Sequence, residues 1–263
     1  MTWFRTLLAI ALCSMASLGF AGVAPGADVA PAVQGELGEA RSLDQLAMEA
    51  YRAQDYKSAG EQWERELELE AVRASSNERA RILHNLGNVS LRSGRTLESV
   101  ARYSSSLKLR PRDAGTLANL DFARSEAALD PAKRVSFLGS LTLREMERLV
   151  MFLAFALFLM LVGEAFIGGA FKPAAVVTAL LLLASLVPWA SQRADTANEE
   201  AMVVKSAGTS LRSEPRAGAT SLTMLAAGTE HLVRDRLTEW VAVETADGVE
   251  GWVKAADLLR TTY

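Results

Sequence analysis

The chain has 263 residues, 50% of them hydrophobic and 22% charged, with a formal net charge of -3. That balance, with a pI near 5.6, excludes the basic field that nucleic-acid binding requires. Its one cysteine, Cys13, lies in an apolar N-terminal run, so removal of that run would leave no disulfide, cysteine nucleophile or thiolate metal site.

The apolar excess is uneven, concentrated at the N-terminus and in one central block. Arg5 precedes the apolar run 7–20, and the small residues Gly19, Ala21, Gly22 and Ala24 follow. This is the three-part layout of a secretory signal peptide, assigned to residues 1–21 with Gly19-Phe20-Ala21 as the cleavage site. A lipoprotein signal would need a small residue before Cys13, where Leu12 stands. Residues 22–40 are rich in Ala, Gly, Pro and Val without periodicity and read as a flexible linker.

Residues 41–130 carry a helical pattern that repeats. Leu117 stands 34 residues after Leu83, and Leu120 34 after Leu86, and 34 residues is the period of one class of paired-helix repeat. The middle unit places Leu83, Leu86 and Gly87 on its first helix, Ser99 and Tyr103 on its second, and Pro111 at its close. Gly87 and Ser99 are where the two helices approach, and bulk there would force them apart. An earlier unit repeats the scheme with Leu43, Leu46, Ala47, Ala59 and Trp63, with extra residues around 71–77. The last helix carries Asp121 where a small apolar residue is expected, which suits a polar cap.

These positions resemble the tetratricopeptide repeat family. The resemblance implies an all-α helical array that takes a peptide or protein segment in a groove lined by the first helix of each unit. In this register the groove side carries His84, Asn85, Asn88, Arg92 and Asn119, side chains suited to an extended backbone or a carboxylate. The alternative, solvated helix faces, stays open. The two histidines, His84 and His231, fall in different segments and read as surface or groove residues, because metal binding and base catalysis need partner groups close by. No catalytic residue, metal or cofactor is expected, and the chain reads as non-enzymatic.

The central block, 147–192, holds apolar runs at 149–167 and 174–190, each near the roughly 20 residues a helix needs to cross a bilayer. Only Gly168 to Pro173 separates them, so the two spans form a transmembrane hairpin and both flanks lie on one side. Lys172 in the turn agrees with a cytoplasmic turn, and Arg144 and Arg148 oppose it among Glu145 and Glu147. The expected location is the bacterial inner membrane, multi-pass, with both globular ends periplasmic. Glu164 lies near the end of the first span. Either it has a role in the membrane or it reaches headgroup water, and the helix-end position favours the second. Trp189 suits an interfacial anchor.

From Ala201 the period changes to two. Short β-like runs recur at 201–204, 209–212, 221–225, 230–233, 240–243 and 251–254, with Asp247-Gly248 as a hairpin turn. Residues 199–263 therefore form a small all-β barrel. Leu211-Arg212-Ser213-Glu214-Pro215, Leu225-Ala226-Ala227-Gly228, Trp240 to Val243, Gly251-Trp252-Val253 and a closing Ala-Ala-Asp-Leu-Leu from Ala255 resemble, in order, the bacterial SH3-type domain. The resemblance implies binding of peptides or cell-wall material in an aromatic cleft, with Trp240 and Trp252 as candidates. Core filling is the alternative for both, with the stronger claim on Trp252, which is flanked by Gly251 and Val253.

Export signal, repeats, two-span hairpin and SH3-like barrel, in that order, resemble the BatE-like family of the Bacteroides aerotolerance operon. That implies a non-catalytic envelope scaffold or adaptor, working beside von Willebrand A-domain membrane proteins and a MoxR-type ATPase and linked to stress or aerotolerance. Two other readings stand beside it: a membrane sensor that binds peptidoglycan, and an accessory subunit of a wall-modifying enzyme.

Overall fold

The computed structural model describes residues 31–131, 140–167, 171–197, 200–204 and 207–261; the signal peptide assigned to 1–21 lies outside them. The first part is helical: α1 (Pro31–Arg52), α2 (Tyr56–Glu68), the short α3 (Glu70–Arg73), α4 (Ser76–Arg92), α5 (Thr96–Leu109) and α6 (Ala114–Glu126). Successive starts are set by side chains that accept backbone N–H groups. Asp55 caps α2 through Ser58, Ser75 caps α4 through Glu78, and Asp113 caps α6 through Thr116.

The helix α1 corrects the expected linker over residues 31–40, since it already runs from Pro31; residues 22–30 of that linker lie outside the described residues. Proline suits the first position of a helix, where no N–H partner is lost. Ala40, Leu43 and Ala47, spaced as one helical face, are all buried. Glu36, within the same stretch, accepts the N–H of Ala71 at 2.8 Å and so holds the start of α3. The extra residues around 71–77 are therefore ordered. They form α3 and the α4 cap, and Val72 is buried in the first core cluster with Trp63, Leu67 and Leu86.

Three helices meet at Arg81 on α4. It donates to Asp44 on α1 at 2.5 Å, to Glu66 on α2 at 2.7 Å and to Glu78 at 2.9 Å. Asp44 also accepts from Trp63 Nε1 at 3.0 Å. Glu66 is 1% exposed and its Oε2 has no hydrogen-bond partner among the described residues. Burial, partly countered by the Arg81 charge and reinforced by Asp44, pushes its carboxyl up to about 7.

Two long helices follow, α7 (Leu143–Ile167) and α8 (Lys172–Ala197). Each contains a stretch long and apolar enough to cross a membrane, Leu143–Phe166 and Lys172–Arg193. The start of α7 is a capping box: Thr142 Oγ1 accepts from Glu145 N and Glu145 Oε2 accepts from Thr142 N. The helices pair along their length and are tied at both ends. Glu164 accepts from Phe171 N at 3.0 Å and lies 3.7 Å from Lys172 Nζ, and Arg193 reaches Glu147 at 3.4 Å. Glu164 is thereby engaged by the turn that it precedes.

The C-terminal part is one antiparallel sheet in the order β3-β2-β6-β5-β4-β1-β7. Its strands are β1 (Glu200–Val203), β2 (Thr209–Arg212), β3 (Ser221–Leu225), β4 (Glu230–Arg236), β5 (Trp240–Glu244), β6 (Glu250–Lys254) and β7 (Leu258–Arg260). A 3-10 turn, Ala255–Asp257, precedes β7. Val203, Leu211, Leu225, Val241, Val243 and Val253 form its core. Gly251 permits the close approach of β2 and β6, since a Cβ there would stand 2.7 Å from Arg212 O and from Leu211 Cγ.

The helical part and the sheet are not separate cores. Met202 of β1, 2% exposed, packs with Val100, Ala101, Tyr103, Leu120 and Ala123 of α5 and α6, and Leu259 of β7 joins them. At the edge of this contact Lys108 meets Glu200 and stands 3.5 Å from Glu230 and 3.2 Å from Thr261 Oγ1.

Candidate functional site

Two surfaces carry the residues singled out from the sequence. The first is a cleft of about 540 Å³ lined by Tyr51 from α1, Asn88 and Arg92 from α4, and Asn119, Phe122 and Glu126 from α6. These six lie on the first helix of a consecutive helical pair or on the last helix, and Leu91 of α4, Gly94 and Thr96 at the start of α5 complete the lining. Three of the five predicted groove residues, Asn88, Arg92 and Asn119, therefore come together. The other two do not line the cleft. His84 shares a hydrogen bond with Thr116 Oγ1 at 2.8 Å and its ring tilts against Tyr103, while Asn85 is half-buried on α4.

Within the cleft the amides are already organised. Asn88 Oδ1 accepts from Tyr103 Oη at 2.7 Å and from Asn119 Nδ2 at 3.0 Å. Both bonds use the amide oxygen of Asn88, so its NH₂ group keeps its donors. Arg92 is exposed and contributes a charge that a carboxylate or a backbone carbonyl would answer. Phe122, 55% exposed, offers an apolar ring beside these donors. Tyr51 and Phe122 were missed from the sequence; Phe122 lies one turn after Asn119 on α6, and Tyr51 lies near the end of α1.

Burial lowers the His84 pKa, with Asp113 opposing and Arg110 assisting. His84 is thus a neutral link between α4 and the start of α6. His231 bonds Thr229 Oγ1 at 2.8 Å, and burial lowers its pKa as well. Among the described residues no three His, Cys, Asp or Glu side chains converge as a metal site would require.

The second surface is the outer face of the sheet. Strand β6 buries Gly251 and Val253 and turns Trp252 the other way. This corrects the stronger core claim made for Trp252: with a period of two, the residue between two inward positions faces outward. Trp252 is half-buried and stands across from Arg212 of β2 and Ala242 of β5. Trp240, across from Lys254, lies diagonal to it on the same face but is only 8% exposed. Of the two rings, Trp252 offers more surface to a ligand. Arg212 also donates to Ala217 O at 2.5 Å and Ala219 O at 3.1 Å, holding the β2–β3 loop beside Trp252.

No curated protein matches the chain. Residues 207–259 match the family model described as a bacterial SH3 domain, a span that holds β2 to β6 and the start of β7 and leaves β1 outside it.

Proposed function

We propose that the chain is a non-catalytic adaptor of the bacterial envelope, held in the inner membrane by the α7–α8 hairpin. It binds a protein segment in the helical cleft and a protein or peptidoglycan ligand on the SH3 domain. The observation that carries the reading is the cleft, where the Asn88 and Asn119 amides, the Arg92 charge and the Phe122 ring line one channel drawn chiefly from α1, α4 and α6. Such a set grips an extended peptide backbone and selects an acidic or C-terminal carboxylate beside an apolar side chain.

The tetratricopeptide reading is supported by the close-approach residues. Ala47, Ala59, Ser99 and Tyr103 are 0% exposed, and Trp63 is 1% exposed. The Tyr103 ring fills the space beside Gly87. The hairpin topology with both globular parts on one side is supported by the Met202 contact, which brings the chain after α8 back onto α5 and α6. The BatE-like role beside von Willebrand A-domain proteins and a MoxR-type ATPase rests on the order of the parts alone.

The test is photo-crosslinking from position 122 in native membranes. Crosslinks to envelope proteins that vanish with Arg92→Glu support the adaptor; none, with the chain folded and inserted, would sink it. A second reading, a peptidoglycan-binding sensor, is favoured by the half-buried Trp252 on a bacterial SH3 domain. It predicts that the full chain in detergent sediments with purified wall and that Trp252→Ala abolishes this.

A further inference from the structure

At the junction of α1, α2 and α4 three carboxylates share one guanidinium, since Arg81 donates to Asp44, Glu66 and Glu78. One cation cannot balance three anions. Asp44 and Glu78 reach solvent, which screens them. The Glu66 side chain is covered, and its Oε2 is buried with no hydrogen-bond partner among the described residues. An ionised carboxylate so placed lacks water on one oxygen and a second donor to replace it, a costly state for a charge in a core. The charged groups acting on Glu66 are Arg81 and Glu78 from α4 and Asp44 from α1, while α3 brings the apolar Val72 to the same core. Glu66 escapes the cost in two ways, by keeping a proton or by gaining access to water.

The second way runs through α1. Asp44 accepts from Trp63 Nε1 at 3.0 Å, the Trp63 ring lies 6.0 Å from the ring of Tyr51, and Tyr51 is a wall of the cleft. Among its described residues α1 buries Ala40, Leu43 and Ala47, two of them small. It packs chiefly on α2, and its further tie is Glu36 to the N–H of Ala71. A helix with so little apolar area in the core, packed mainly on one neighbour, opens at lower cost than the whole array. Lifting it takes Asp44 away and lets water reach Glu66.

We propose that Glu66 is a proton-gated latch for α1: protonated, it leaves α1 docked and the cleft complete; ionised, it favours an opened form in which α1 leaves the junction and the cleft loses its Tyr51 wall. The opening does not depend on what the cleft binds, whereas its effect on binding rests on the adaptor reading.

Hydrogen exchange of the full chain in detergent micelles, followed by mass spectrometry at pH 6, 7 and 8, tests the latch once each rate is divided by the intrinsic rate at that pH. With the Glu66 carboxyl near 7 when docked and 4.5 when solvated, the opening constant of α1 should rise about tenfold from pH 6 to pH 8. The rise should appear at amides 43–48 and not in α5. Glu66→Gln should hold α1 level across the range. Asp44→Asn removes a neighbouring negative charge and so lowers the proton affinity of Glu66; the rise should shrink even where protection of α1 falls at every pH. No rise in the natural chain, the same rise in Glu66→Gln, or an equal rise in α1 and α5 overturns the latch. Photo-crosslinking from position 122 supplies the second arm. Crosslinks that weaken from pH 6 to pH 8 in the natural chain and persist in Glu66→Gln support gating of the cleft. Crosslinks indifferent to pH while α1 opens overturn the gating. Crosslinks absent at every pH count against the adaptor reading alone, and the exchange arm still decides the latch.

Discussion

Tyr103 donates its phenolic O–H to Asn88 across the α4–α5 pair at 2.7 Å, and the same ring lies where a Cβ on Gly87 would stand, 2.5 Å from Cε1. One aromatic side chain thus sets both the helix spacing and the orientation of a cleft amide. Burial pushes its phenol well above the usual range, so the O–H remains a donor at any ordinary pH. Tyr103→Phe should lower unfolding free energy by about 1 kcal/mol through the lost bond. Gly87→Ala should cost about 1–3 kcal/mol through overpacking. Combined with Tyr103→Leu, the Gly87→Ala cost should shrink, a non-additivity readable in a double-mutant cycle by denaturant unfolding.

Glu66 makes stability depend on pH in a direction opposite to most carboxylates. Its carboxyl titrates near 7 in the folded chain against the ordinary 4.5, so between those values the folded state holds a proton that the unfolded state has released. Its contribution is greatest below pH 4.5 and is lost as pH rises to 7. Relative to Glu66→Gln, which keeps an acceptor for Arg81, the natural protein should lose on the order of 2–3 kcal/mol between pH 5 and 8. Denaturant unfolding of both proteins across that range checks this; parallel curves would refute it.

The two tryptophans should separate by stability and binding. Trp240→Ala, at a nearly covered ring, should destabilise the sheet by about 3 kcal/mol. Trp252→Ala, on the outer face, should change thermal unfolding little and remove binding to wall material or peptide. Unfolding by circular dichroism beside a sedimentation assay reads both effects.

Lys108→Glu would set a carboxylate beside Glu200 and Glu230, where the cation now stands. We expect about 1 kcal/mol of loss, given the partial exposure of these groups. Faster hydrogen exchange should be confined to β1, β7 and the facing turns of α5. Exchange that rises evenly through the sheet would count against a local contact.

Much of the architecture was legible. The runs read at 209–212 and 221–225 coincide with β2 and β3, because alternation and turn residues fix short antiparallel strands. Helix α1 was hidden by composition: its early turns are Ala, Gly and Pro, and only the spacing of Ala40, Leu43 and Ala47 betrays the face. The Thr142-x-x-Glu145 box was a start signal present in the chain and passed over. The core alternative for Trp252 leaned on its neighbours Gly251 and Val253, which alternation makes its opposites across the strand. The cleft was partly seen: Asn88, Arg92 and Asn119 follow from the repeat period, but His84 turns toward Thr116, a contact set by the α6 cap.

The Met202 contact has a thermodynamic meaning for any ligand long enough to touch both surfaces. Because β1 is seated on α5 and α6, the cleft and the Trp252 face share one packed body instead of hanging on independent tethers. A second attachment then occurs at an effective concentration set by fixed geometry, with no tether entropy to overcome, and falls away steeply for a ligand of the wrong span. On the proposed reading, the docked sheet would make the molecule a caliper, selecting divalent ligands by their length as well as by their chemistry.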